Sequence, residues 1–125
     1  MPCYINKNVD LERACTDLII SKTFDNGTVC ASEQSVILER CCADRVQEEF
    51  KRRGCYFLNT EEAAKIAKLL LRPNGTMNPK IVGRTAHEIA AMAGLSGVPE
   101  TTPVLIARET EAGPTRPYSR EKLCP

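Results

Sequence analysis

The sequence predicts an α/β fold: a mostly parallel sheet with helices on both faces. Segments with apolar residues at helical spacing alternate with short apolar, β-branched runs. Asn-Gly pairs, single glycines and prolines stand at the breaks between them. Strands separated by helices favour parallel pairing, with the helices covering the sheet.

Leu11, Ala14, Cys15, Leu18 and Ile19 recur at i, i+3, i+4, i+7 and i+8, the stripe of an amphipathic helix. Asn8 or Asp10 caps its start. Asp25-Asn26-Gly27 ends it, because Asn and Gly tolerate the left-handed conformation. Cys15 lies on the apolar stripe and reads as a core residue. Ser35-Val36-Ile37-Leu38 reads as a buried strand.

Residues 44–53 read as a second helix, with Val46 and Phe50 inward and the pairs Glu48/Arg52 and Glu49/Arg53 outside. Gly54 stops it. Tyr56-Phe57-Leu58 is a short strand. Residues 61–71 form a third helix behind Asn59 or Thr60, with Ala63, Ile66, Ala67 and Leu70 on one face. It ends ahead of Pro73, which disfavours a helical residue before it.

Asn74-Gly75 and Asn78-Pro79 mark loops, and Ile81-Val82 is a candidate short strand. Thr85 and Glu88 form a capping box that opens a short helix, with Ala86, Ile89, Ala90 and Ala93 inward and Gly94 at its end. Val104-Leu105-Ile106-Ala107 is another buried strand. Residues 109–125, rich in Pro, Gly and charge, read as irregular.

A length of 125 residues suits one domain with its own core. Hydrophobic residues make up 42% and charged residues 26%, a globular balance. The net charge of +1 supplies no bulk field for nucleic acid or anionic lipid, and Lys51-Arg52-Arg53 reads as a solvated helix end. No apolar run reaches the roughly 18 residues of a membrane span. No basic segment followed by an apolar one opens the chain, so a cytoplasmic setting is expected. The seven cysteines are odd in number, lack CxxC spacing and include adjacent Cys41-Cys42, which points to reduced thiols. Neither GxGxxG nor GxxxxGK[ST] occurs.

Cys30 is the candidate for chemistry. It follows the Asn26-Gly27 turn and lies between a predicted helix and a predicted strand, held by rigid elements yet reachable. Its position fits a thiolate nucleophile and fits a buried structural thiol equally. His87, the one histidine, falls off the apolar face of its helix and reads as an edge residue. A Cys30–His87 dyad of the cysteine-hydrolase kind is the alternative enzyme class. Cys41, Cys42, Cys55 and His87 lack the paired spacing of a zinc site, so no metal is expected. Glu121, on the residues alone, is an exposed carboxylate.

Three segments in order resemble the aldehyde dehydrogenase superfamily, and most closely its CoA-acylating branch, including the aldehyde dehydrogenase half of bifunctional aldehyde-alcohol dehydrogenases. They are Asp10-Leu11-Glu12-Arg13-Ala14, residues 21–36 (SKTFDNGTVCASEQSV), and Arg120-Glu121-Lys122-Leu123-Cys124-Pro125, which is similar to the family's E-K-L-S-P. Residues 78–83 and the helix to Gly94 also fit.

The resemblance implies the catalytic, cysteine-bearing domain of that fold. It implies Cys30 as the nucleophile toward a short-chain aldehyde such as acetaldehyde, with a thioester on Cys30 and coenzyme A as acyl acceptor. The backbone N–H of Cys30 would serve the oxyanion. Glu121 matches the glutamate that hydrogen-bonds the nicotinamide ribose of NAD, and Leu123 a side chain near the nicotinamide. Some relatives carry histidine immediately before that glutamate, where this chain has Arg120, so that histidine's role does not transfer. Cys124 replaces the usual serine. The superfamily's Rossmann-type NAD domain lies outside the matched stretch. Residues 1–125 therefore read as a catalytic-domain fragment, inactive alone, of a homo-oligomeric parent. A non-catalytic interaction module is the alternative from another class.

Overall fold

The computed structural model describes all of residues 1–125. Four strands and four α-helices follow in the order β1 (Pro2–Ile5), α1 (Leu11–Thr23), β2 (Ser35–Leu38), α2 (Ala43–Arg52), β3 (Tyr56–Phe57), α3 (Thr60–Leu70), α4 (Ala86–Met92) and β4 (Leu105–Ile106). Short 3₁₀ turns occupy Phe24–Gly27, Pro79–Ile81 and Pro117–Ser119.

Both strand pairings are parallel, as the separation of strands by helices predicts. β1 pairs with β2 from Pro2↔Ser35 to Ile5↔Leu38, and β3 with β4 at Tyr56↔Leu105 and Phe57↔Ile106. They form two separate two-stranded sheets. The Leu105 N–H donates to the carbonyl of Pro125 at 3.4 Å, which draws the end of the chain alongside β4.

The helix starts follow the local chemistry. Asp10 caps α1 by accepting from the Arg13 N–H at 3.1 Å. Asn59 and Glu62 form a reciprocal capping box on α3, and Thr85 and Glu88 form one on α4. The α1 stripe packs against α2, so Cys15 is fully buried with Ile5, Cys42, Val46, Phe50 and Cys55. A second cluster joins Leu58, Ile66, Leu70, Ile81, Ile89 and Cys124. Cys124 thereby anchors the terminal segment in the core.

Three expectations are corrected, and one strand was not foreseen. β1 gave no recognisable signal: it is four residues long, opens with Pro2, and its partner lies more than thirty residues away. β2 is not buried, since Val36 and Ile37, on opposite faces of a two-stranded sheet, are 38% and 53% exposed. Ile81 closes a 3₁₀ turn and not a strand, because Pro79 sits at its first position and Asn78 caps it through the Lys80 N–H at 3.1 Å. Glu49 points inward: it is buried and takes Arg53 at 2.9 Å and Arg52 at 3.2 Å, while Glu48 pairs with Lys51.

Candidate active site

The chain leaves α1 through an abrupt turn. Asp25 and Asn26 both adopt left-handed backbone, with φ of 48° and 51°, which these residue types tolerate better than most. The Asp25 carboxylate holds the turn by accepting from Thr28 Oγ1 at 2.6 Å. The Asn26 side-chain amide donates to the carbonyl of Gly83 at 3.1 Å. Gly27 follows at φ 75° and lies so close to the backbone of Cys124 that no other side chain fits.

This geometry delivers Cys30 onto a tight turn in which the Ser32 N–H donates to the carbonyl of Val29 at 2.9 Å. Cys30 is exposed, unlike the buried Cys15, Cys42, Cys55 and Cys124. The structural-thiol reading, which requires burial, therefore loses its basis. Beside the turn lies an apolar hollow of about 220 Å³ lined by Ile20, Ser21, Phe24, Val29, Ala31 and Ser32. Ile20 and Phe24, one helical turn apart, are 61% and 67% exposed at this edge.

The second motif packs onto the first. Gln34 Oε1 accepts the backbone N–H of Lys122 at 3.2 Å, across 88 positions of sequence. The Leu123 carbonyl accepts the Gly83 N–H at 3.1 Å, and Gly83 is also the partner of Asn26. Leu123 is half-buried with φ 49°, a left-handed conformation that is strained for leucine. Glu121 is exposed, and its carboxylate makes no hydrogen bond within the chain. Arg120 reaches the carbonyls of Pro114 and Gly75 at 3.4 and 3.5 Å, a structural role.

Two lysines that sequence reasoning left unassigned lie between the motifs. Lys22 is only 9% exposed, and its ammonium makes one hydrogen bond, to Ser32 Oγ at 3.4 Å. Burial pulls it below the ordinary lysine range, opposed by the nearby Cys124, Glu33 and Glu121. Lys122 donates to the carbonyls of Tyr118 and Arg120 at 2.6 and 2.9 Å. Burial and the Lys22 charge pull it down to about 8, against the opposing effect of Cys124. One oxygen of Glu33 is buried without a partner. A signal for Lys22 did exist: it stands seven residues after Cys15, on the same helical stripe.

His87 is drawn elsewhere. Its Nδ1 lies 3.1 Å from the carbonyl of Val98, and it shares no hydrogen bond with Cys30. The imidazole is spent on tying α4 to the following loop. No helix is long and apolar enough to cross a membrane.

A tight turn presenting an exposed cysteine, with a Glu-Lys-Leu segment packed onto it, thus stands on a parallel α/β framework. The chain superposes over its full length on an acetylating aldehyde dehydrogenase from Geobacillus thermoglucosidasius, with TM-score 0.96 and 43% identity, covering 27% of that structure. A probable aldehyde dehydrogenase from Listeria monocytogenes gives TM-score 0.95 and 51% identity over 99% of this chain and 27% of the other. The aldehyde-alcohol dehydrogenase of Clostridium acetobutylicum is 43% identical over 124 residues, 99% of this chain. The chain spans about 14% of the length of that relative. No protein-family model matches the chain. The chain is thus homologous, from end to end, to one segment of the acetylating aldehyde dehydrogenases.

Proposed function

We propose that this chain is the nucleophile-bearing part of a CoA-acylating aldehyde dehydrogenase, acting on a short-chain aldehyde, and that Cys30 forms the covalent intermediate. The observation that carries the reading is the docking of residues 121–124 on the Cys30 turn through Gln34, Gly27 and Gly83. It puts the exposed thiol and the exposed Glu121 carboxylate on neighbouring segments of one rigid unit.

In this reading the Cys30 sulfur adds to the carbonyl carbon of the aldehyde, forming a C–S bond and a thiohemiacetal. The Cys30 N–H, at the start of its turn, serves the oxygen on which charge develops. NAD, when bound, would supply the hydride acceptor that conversion of the thiohemiacetal into a thioester on Cys30 requires. Glu121 fits the ribose of that cofactor, because its carboxylate is exposed and uncommitted and can accept from hydroxyl groups. Leu123 offers apolar contact to the nicotinamide. The thiol of coenzyme A then attacks the thioester, the Cys30 C–S bond breaks, and the cysteine sulfur departs as a thiolate. The apolar hollow of Ile20, Phe24, Val29 and Ala31 suits the alkyl end of the aldehyde. The remainder of the cofactor site is supplied from outside residues 1–125.

The test is native iodoacetamide labelling, resolved by mass spectrometry. Cys41, the other exposed thiol, is an internal reference. Cys30 should react faster than Cys41, and Cys30→Ser should abolish acyl-CoA formation in the enzyme that carries this segment. Equal labelling of the two thiols, or retained turnover in Cys30→Ser, overturns the assignment.

A further inference from the structure

We propose that Lys22 is a positioning residue for Cys30: its buried ammonium fixes the Val29–Ser32 turn from behind and links it to the Glu121 segment. The inference rests on the reading of Cys30 as nucleophile and assigns it a support that the motif itself does not announce.

A lysine is a costly side chain to bury at this position. Lys22 is on the apolar stripe of α1, yet an ammonium loses its hydration when buried and must recover it from partners. Lys22 has three donors and spends one, on Ser32 Oγ at 3.4 Å. Ser32 is itself 2% exposed, and its N–H closes the turn that carries Cys30. Its hydroxyl also receives Gln34 Nε2 at 3.5 Å, and Gln34 in turn holds the Lys122 N–H. One chain of contacts therefore runs from Lys22 through Ser32 and Gln34 to the residue beside Glu121.

Charge runs along the same line. Glu33, next to Ser32, has one buried oxygen without a hydrogen-bond partner. Glu33 and Glu121 both act on Lys22, one from the Cys30 loop and one from the terminal segment. A neutral side chain at position 22 would remove the cation on which Glu33 and Glu121 both act. A core lysine kept only for packing would be better replaced by methionine or leucine of similar volume, since an unpaired buried charge is costly.

The experiment compares iodoacetamide rates at Cys30 and Cys41 in the wild-type chain and in Lys22→Ala, without and with propylammonium or 1-propanol. Propylammonium replaces the deleted methylenes and ammonium, whereas 1-propanol fills the same space without charge. The expected result is a roughly tenfold fall in the Cys30/Cys41 ratio, since small misplacements of a reacting group carry penalties of this order or more. Propylammonium should restore the ratio and propanol should not. An unchanged ratio, or equal rescue by propanol, overturns the proposal. Failure of wild-type Cys30 to outpace Cys41 would instead strike the nucleophile reading. If Lys22→Ala loses its cooperative thermal melt, Ser32→Ala replaces it, deleting only the acceptor hydroxyl. It should lower the ratio in the same direction, and an unchanged ratio in that variant overturns the proposal as well.

Discussion

A Cβ placed on Gly27 would lie 2.8 Å from the carbonyl carbon of Cys124. Ninety-seven positions apart, the two residues pack backbone against backbone, and this contact joins the loop of Cys30 to the segment of Glu121. The fit needs glycine for two reasons. Its φ of 75° lies in the left-handed region, and the neighbouring atoms are main chain that cannot swing aside.

Gly27→Ala is therefore expected to destabilise the fold by about 2–4 kcal/mol, combining left-handed strain with overpacking. Gly75→Ala is the control. Gly75 has φ 79° but nothing within 4 Å of the added carbon, so only the conformational cost of about 1–2 kcal/mol applies. Urea unfolding of both variants measures the difference. Equal losses would mean that the contact with Cys124 contributes nothing.

Gln34 should matter more than its surface position suggests. Its Oε1 is the acceptor for a partly buried main-chain N–H, that of Lys122. Gln34→Ala leaves that donor unsatisfied, at a cost of about 1–3 kcal/mol. The sharper readout is hydrogen exchange at the Lys122 amide, which should accelerate in the variant while amides in α2 keep their protection. Unchanged exchange at Lys122 would show that the segment is held without Gln34.

The helices were legible in the sequence because their stability comes from local periodicity and caps. The Cys15 stripe, the Asn59 and Thr85 caps and the stop at Gly54 are all visible within a few residues of one another. The strands were less so. β1 depends on a partner across α1, and the exposure of Val36 and Ile37 depends on what stands opposite, neither of which short-range pattern reports. In the candidate site, the turn at Asp25-Asn26-Gly27 and the placement of Cys30 between helix and strand were readable from residue types. The Lys22–Ser32 contact was not, because a lysine on an apolar stripe is ordinarily read as a helix-end charge reaching for solvent.

The N-cap of α4 gives a smaller, local expectation. Thr85 Oγ1 accepts the Glu88 N–H at 3.2 Å, and the Glu88 carboxylate in turn accepts the Thr85 N–H at 2.8 Å. Thr85→Ala should cost about 1 kcal/mol. Because α4 places Ile89 in the same core as Cys124, the loss should appear as a lower midpoint of the single cooperative transition and not as a separate fraying step. Denaturation followed by two probes, far-ultraviolet circular dichroism and tyrosine fluorescence, distinguishes the two.

Alkaline pH provides the last test, through the buried thiols of the first core. Cys15 and Cys55 are each raised from an ordinary value of 9.0 to about 11, chiefly by burial. Glu49 adds to the effect at Cys15 against Arg53, and Cys15 adds to it at Cys55. Folded, both thiols keep their protons to about pH 11; unfolded, they release them from about pH 9. The unfolded state thus binds fewer protons in that window, so their contribution is complete below pH 9 and is lost as pH rises through 11. Lys122 acts in the opposite sense. Its folded value of about 8 lies below the ordinary 10.5, so its contribution grows between those limits. The two effects overlap, and variants separate them. The double variant Cys15→Ala/Cys55→Ala, less stable at neutral pH because of the smaller side chains, should lose less stability than wild type between pH 8 and pH 11. Lys122→Met should lose more, since it lacks the opposing gain. Urea midpoints across this range decide the matter, and parallel pH profiles for all three chains would show that neither the thiols nor Lys122 is linked to folding.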